Sequence, residues 1–167
     1  NLHVLAVDDH APNLMVLDAL LGDLGVQTIT AASGLEAIEL IQSKLNPDSP
    51  EVPFDLIFMD IQMPRMSGLE ATQRIRALEA EYTAQHHVKQ HTPIIALTAH
   101  ALSDERDKLL AAGMDDYLSK PYTEEQLAAK LARLARAAHI DAAHVAPCNG
   151  DTTMASCDRN SSTAEAA

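Results

Sequence analysis

Tryptophan is absent from this chain of 167 residues, aromatic side chains make up only 3% of it, and cysteine occurs twice. So few rings argue against a flavodoxin-like site that grips a small molecule by stacking, and the loops after the apolar segments hold no Ser/Thr/Gly-rich phosphate cradle. Cys148 and Cys157 both fall in a polar C-terminal stretch, with neither the spacing of a disulfide framework nor that of a metal site. They read as free thiols in a reducing cytosol. Positive charge is scarce too: 12 Lys and Arg face 24 Asp and Glu, a formal charge of −12. No electrostatic footprint for a phosphate backbone is left, so direct nucleic-acid binding is not expected. No apolar run approaches the roughly 20 residues that span a bilayer. No basic segment precedes a signal-like apolar one, so no membrane contact by this segment is expected.

What the chain does have is rhythm. With 47% hydrophobic residues it can bury one ordinary core. "HVLAV" precedes an amphipathic stretch from Pro12 to Leu24, "VQTIT" one from Gly34 to Leu45, and "LIFM" one from Gly68 to about Glu79. "IIALT" precedes Asp104 to Ala112, and "DYLS" precedes Glu124 to about Ala138. Five such units predict an α/β fold, a doubly wound five-stranded parallel sheet with helices on both faces. Leu14, Leu17, Leu21 and Leu24 form one stripe on the first helix, and Leu127, Leu131 and Leu134 one on the last. Ser33 with Glu36, Ser67 with Glu70 and Thr123 with Gln126 have capping-box spacing, while Gly25 and Gly113 stand where helix C-caps belong. "NPDSPEVP" and "EAEYTAQHHVKQHTP" read as solvent loops. His86, His87 and His91 in the second fit a solvated polar loop better than a metal site. Residues 139–167 are small, polar and aperiodic, as in a linker or disordered tail. The chain does not open on methionine and its first strand starts almost at once, which reads as a piece of a longer protein, although processing would look the same.

The third apolar run carries a puzzle. "LIFM" reads as a strand buried on both faces, yet it ends on Asp60, and a buried carboxylate without partners costs several kcal/mol. Ligand sites in open α/β sheets lie beyond the carboxyl ends of the strands. Those ends here are Asp8-Asp9, Asp60, Thr98 and Lys120. Three crowded carboxylates repel one another unless a cation intervenes, and an all-oxygen set with room for water suits Mg²⁺. Lys120 offers a compact positive charge for a phosphoryl oxygen and Thr98 a hydroxyl donor. Singly, each Asp could be a turn residue or a cap, Asp9 before "HAP" among them. Jointly they describe a site for a phosphoryl group. Trans is the default for Lys120-Pro121, but a cis turn there would fix the direction of the ammonium.

"VLAVDDHAPN", "DLIFMDIQMPRMSGLEATQRIR", "PIIALTAHA" and "GMDDYLSKP" follow one another between about Leu2 and Ala138. In this combination the chain resembles the receiver domain of two-component response regulators, with residues 1–138 as the receiver. The resemblance implies a (βα)5 flavodoxin-like fold, Asp60 as phosphoacceptor, Asp8 and Asp9 as the acidic pair for Mg²⁺, and Gln62 as the residue whose backbone carbonyl joins them. It makes Thr98 the switch hydroxyl, Tyr117 the switch aromatic and Lys120 the phosphoryl-binding lysine. It also implies transfer from a phosphohistidine on a histidine kinase dimerisation domain, self-catalysed phosphorylation and dephosphorylation of Asp60, and onward passage to a histidine-phosphotransfer domain. The docking helix of such a partner is expected around Asp60, along the first helix near Pro12 and Leu14. The wording within the motifs is similar to receivers built into hybrid sensor histidine kinases, which would make this the cytoplasmic part of a membrane-anchored sensor. A stand-alone single-domain response regulator, acting by phosphorylation-dependent protein interaction, shares the same pattern. His10 stands where the family most often has asparagine. A phosphatase that forms an aspartyl phosphate would need a second Asp two residues after Asp60, where Gln62 stands instead.

Overall fold

Apolar β-branched runs become strands and the amphipathic stretches between them become helices, in strict alternation. A computed structural model describes residues 2–100 and 102–143. The elements are β1 (His3–Val7), α1 (Ala11–Asp23), β2 (Gln27–Ala31), α2 (Gly34–Leu45), β3 (Leu56–Asp60), α3 (Gly68–His86), β4 (Ile94–Thr98), α4 (Ser103–Ala111), β5 (Asp116–Ser119) and α5 (Glu124–Ala143). All strand pairs are parallel, in the order β2-β1-β3-β4-β5. From β1 the chain steps outward to β2, then crosses back to β3 and continues the other way. That reversal opens a crevice between the carboxyl ends of β1 and β3, where Asp8 and Asp60 stand.

Side-chain alternation divides the interior into two cores. Leu5, Val7, Ile57, Met59, Ile94 and Ala96 face α2, α3 and Leu109 of α4. Val4, Ala6, Leu56, Phe58, Ile95 and Leu97 face α1 and α5, meeting Leu14, Leu17, Leu21, Leu127 and Leu131. Strands β3 and β4 are buried throughout, as continuous apolar runs require, while β2 at the edge is largely exposed. Of the two residues expected beside the docking helix, Pro12 is exposed and Leu14 belongs to the core; the large apolar side chains that α1 exposes are Met15, 73% exposed, and Val16, 56%.

Caps form where their spacing predicted. Ser33 accepts from the Glu36 amide at 3.1 Å, with Glu36 reaching back to the Ala32 amide, and Thr123 and Gln126 reciprocate fully. Ser67 accepts from the Glu70 amide, but Glu70 turns to Arg74 instead of completing the box. Gly25 and Gly113 both take positive φ just past helix ends.

Helix α3 runs seven residues past Glu79, through most of the stretch expected to be loop. Local pairs sustain it: Tyr82 stacks on His86 at 4.2 Å, and Gln85 donates to Glu81. Glu79 is 3% exposed and accepts from Arg76 and from the Thr92 amide at 2.6 Å. Arg76 also binds Asp115 and the Gly113 carbonyl, so this polar network pins α3 to the entries of β4 and β5. His91 is paired with Asp115 at 2.7 Å. Helix α5 continues to Ala143, past the expected boundary at 138. The rest of the tail, with both cysteines, lies outside the described residues.

Candidate functional site

Each side chain at the crevice is delivered by the end of a strand. Asp8 follows β1 directly and is 1% exposed. One of its oxygens accepts from the His10 amide at 2.9 Å and the other from Lys120 Nζ at 3.1 Å. Asp60, the last residue of β3, is 5% exposed. Its Oδ1 accepts from the Gln62 amide at 3.3 Å and lies 3.3 Å from Lys120 Nζ. Asp9 is exposed and does not cap α1, whose N-cap is His10. Lys120 comes from the turn after β5, and its bond to Pro121 is cis. Gly68 fixes the floor: its amide donates to the Ile61 carbonyl at 3.0 Å, and a Cβ there would collide with the Asp60 carbonyl oxygen.

Charge is unbalanced in this pocket. One oxygen each from Asp8, Asp9 and Asp60 lies within 4.8 Å of the others, against the single ammonium of Lys120. Burial pushes the Asp60 carboxyl above its ordinary pKa, repulsion from Asp8 adds to this, and Lys120 with the Gln62 amide opposes it. For Lys120, burial favours the neutral amine, but the hydrogen bond to Asp8 and the charges of Asp60 and Asp8 prevail and raise its pKa. A cavity of about 360 Å³ opens onto these groups. The donor set suits Mg²⁺: hard oxygens, two of them buried and one at the rim where water can complete an octahedron.

Asp8, Asp9, Asp60, Gln62 and Lys120 therefore share one cleft. Thr98 stands apart from its wall, which Ala99 contributes instead. The Thr98 hydroxyl, 5% exposed, donates to the His100 carbonyl at 2.9 Å and accepts from the His100 amide at 3.1 Å. Tyr117 is half-buried beside the α2–α4 core, its ring 5.9 Å from the Arg106 guanidinium and 5.6 Å from Lys130 Nζ. Three contributors were given no site role in the sequence. His10 and Asn13 line the cavity, a consequence of α1 starting at its rim. Tyr122 is half-buried nearby, and its phenol is held above the usual range by burial, with Lys120 opposing and Asp8 and Asp60 adding. Adjacency to Asp9 and to Lys120-Pro121 was the available signal for His10 and Tyr122.

A parallel sheet of this order, with an acidic cleft and one half-buried lysine at its switch point, defines a doubly wound α/β module whose candidate ligand site lies at the strand ends. The chain belongs to the response regulator receiver domain family, whose profile matches residues 4–132. It is 44% identical over 125 residues to the sensor protein GacS of Pseudomonas syringae pv. syringae, an alignment covering 75% of this chain and 12% of that protein. Among solved structures it is similar to the receiver domain of the histidine kinase CKI1 from Arabidopsis thaliana, crystallised with Mg²⁺ and BeF3⁻, at TM-score 0.69, 37% identity and coverage of 80% and 89% of the two chains. The Saccharomyces cerevisiae co-crystal of the histidine phosphotransfer protein Ypd1 with the receiver domain of Ssk1 matches at TM-score 0.69, 31% identity and coverage of 80% and 89% of the two chains.

Proposed function

We propose that this chain is the phosphoacceptor of a two-component phosphorelay, receiving a phosphoryl group from a phosphohistidine on Asp60 and passing it to a histidine-phosphotransfer domain. The observation that carries this reading is the Asp60 carboxylate, held at the end of a rigid buried strand, 3.3 Å from Lys120 and within 4.8 Å of Asp8 and Asp9. A strand-end oxygen in a fixed position is placed for in-line attack. As the Asp60 oxygen bonds to phosphorus, the P–N bond to the imidazole breaks and the ring leaves, taking a proton from solvent. Lys120, shared between Asp8 and Asp60, then turns to a phosphoryl oxygen. Asp8, Asp9, Asp60 and the Gln62 carbonyl would hold Mg²⁺, which neutralises charge on the transferring oxygens. Passage onward reverses these bonds: an acceptor imidazole attacks phosphorus and Asp60 departs as carboxylate. Met15 and Val16, exposed on α1 beside the cleft, offer the apolar contact for a histidine-bearing helix. Similarity to GacS supports an origin within a hybrid sensor histidine kinase with a cytoplasmic receiver.

The test is direct. The chain is incubated with Mg²⁺ and acetyl phosphate or beryllofluoride while amide shifts around Asp60 are followed, in wild type and Asp60→Asn. Saturable shifts in wild type alone are expected. Undiminished labelling of a folded Asp60→Asn protein overturns the assignment.

A further inference from the structure

Two adjacent residues at the start of α4 each touch one of the two residues assigned to the switch. Glu105 Oε2 lies 3.5 Å from the Thr98 hydroxyl, and the Arg106 guanidinium lies 5.9 Å from the centre of the Tyr117 ring. Glu105 is half-buried, while Ser103, Asp104, Arg106 and Asp107 around it are exposed, so its carboxylate is directed inward. The register of β4 against β5 sets Ala96 opposite Tyr117, and Thr98 is two residues further along β4, so Thr98 and Tyr117 share one face of the sheet. Helix α4 covers that face through a single buried side chain, Leu109.

We propose that Glu105 is a positioning residue: its carboxylate, with the His100 carbonyl, holds the Thr98 proton away from Asp60, and Arg106 holds the Tyr117 ring in place. This inference rests on the phosphoacceptor reading and deepens it. A hydroxyl has one hydrogen to give. While it serves the His100 carbonyl and Glu105 it cannot serve an anion on Asp60, and turning it toward that anion strips Glu105 of its donor. Rotation of Tyr117 likewise forfeits the cation–π contact to Arg106. The first turn of α4 thus reads both residues at once and resists the activated arrangement until a phosphoryl oxygen outcompetes it.

Beryllofluoride with Mg²⁺ is titrated into wild type, Glu105→Gln, Thr98→Ala and the double variant, following amide resonances at Tyr117 and along α4. Glu105→Gln keeps the size of the side chain and exchanges a charged acceptor for a neutral amide oxygen, which holds the Thr98 hydroxyl about half as strongly. A single hydrogen bond's net worth predicts half-saturation at about 2- to 10-fold lower beryllofluoride in Glu105→Gln than in wild type. Unliganded α4 resonances should move toward their bound positions. In the Thr98→Ala background the same substitution should change neither. An equal effect in both backgrounds would mean that Glu105 acts by its charge on the cleft, and overturns the latch, as does no effect in wild type. If wild type takes up no beryllofluoride, the phosphoacceptor reading falls separately, and the latch stands or falls on whether Glu105→Gln moves the unliganded Thr98 and Tyr117 resonances.

Discussion

Replacing Asp60 with Asn should stabilise the metal-free protein, even though it destroys the acceptor. At an effective dielectric of about 20, carboxylate oxygens within 4.8 Å of each other repel by at least about 3.5 kcal/mol, and the Asp60–Lys120 pair at 3.3 Å attracts by about 5 kcal/mol. Asp8 is therefore nearly offset by Lys120. Left over is the burial of the Asp60 carboxylate, an effective cost of several kcal/mol per ion reduced here by the Gln62 amide. The net sign is that of the raised Asp60 pKa, and a gain of about 1–2 kcal/mol on removing the charge is a fair scale, equivalent to about 3–8 °C in a domain of this size. Its pH dependence has a definite sign. Because the folded pKa lies above the unfolded one, the favourable contribution of protonated Asp60 is complete below about pH 4, and it is lost as pH rises through the folded value. The advantage of Asp60→Asn should be absent near pH 4 and open as pH rises to neutrality. Thermal unfolding in chelator from pH 4 to 7.5 measures it, and millimolar Mg²⁺ should close the gap by stabilising wild type. A variant less stable than wild type at pH 7.5 without Mg²⁺, or a gap constant with pH, would refute this account of the site's charge.

Asp9→Asn, at an exposed position, should weaken both Mg²⁺ binding and phosphorylation while leaving metal-free melting within about 0.5 kcal/mol of wild type, read by titration and by calorimetry. Gly68→Ala should destabilise and shift the Asp60 amide resonance together, since the new methyl meets the Asp60 carbonyl; a shift confined to α3 would contradict it. Arg76→Met leaves Glu79 buried without its partner and should cost about 3 kcal/mol in urea unfolding. At the alkaline end, Lys120 has a folded pKa above its ordinary 10.5. Its stabilising share is intact below the unfolded value and lost as pH climbs through the folded one, so stability between pH 9 and 12 should fall more steeply in wild type than in Lys120→Met.

Much of the architecture was legible because parallel sheets write it twice, as apolar runs and as helix periodicity. "LIFM" and "IIALT" admit little but buried strands, and the polar residues that end them mark the cleft. Helix α3 was cut short because "EAEYTAQHHVKQHTP" is polar on every side; local pairs, Tyr82 on His86 and Gln85 to Glu81, carry the helix on from a turn anchored by partners distant in sequence. Glu79 is satisfied by Thr92, and Arg76 by Asp115. Leu14 could be placed on a stripe but not on a side of the molecule, which depends on how α1 packs against Leu118 and Leu127. For Thr98 the strand end fixed the residue's location, while the direction of its hydroxyl is decided by the His100 backbone and by Glu105, seven residues later.

Firmness is unevenly shared between neighbouring helices. Helix α3 buries Gly68, Ala71, Thr72, Ile75 and Glu79 and is tied to the strand end that carries Asp60, whereas α4 buries only Leu109. Anyone building a fluorescent reporter on this scaffold has both an indicator and an internal standard. A dye on Leu110, 47% exposed on α4, sits on the element free to respond, and one on Arg74, 55% exposed on α3, stays fixed to the acceptor strand. The ratio of the two signals would report occupancy of the cleft independently of how much protein is present.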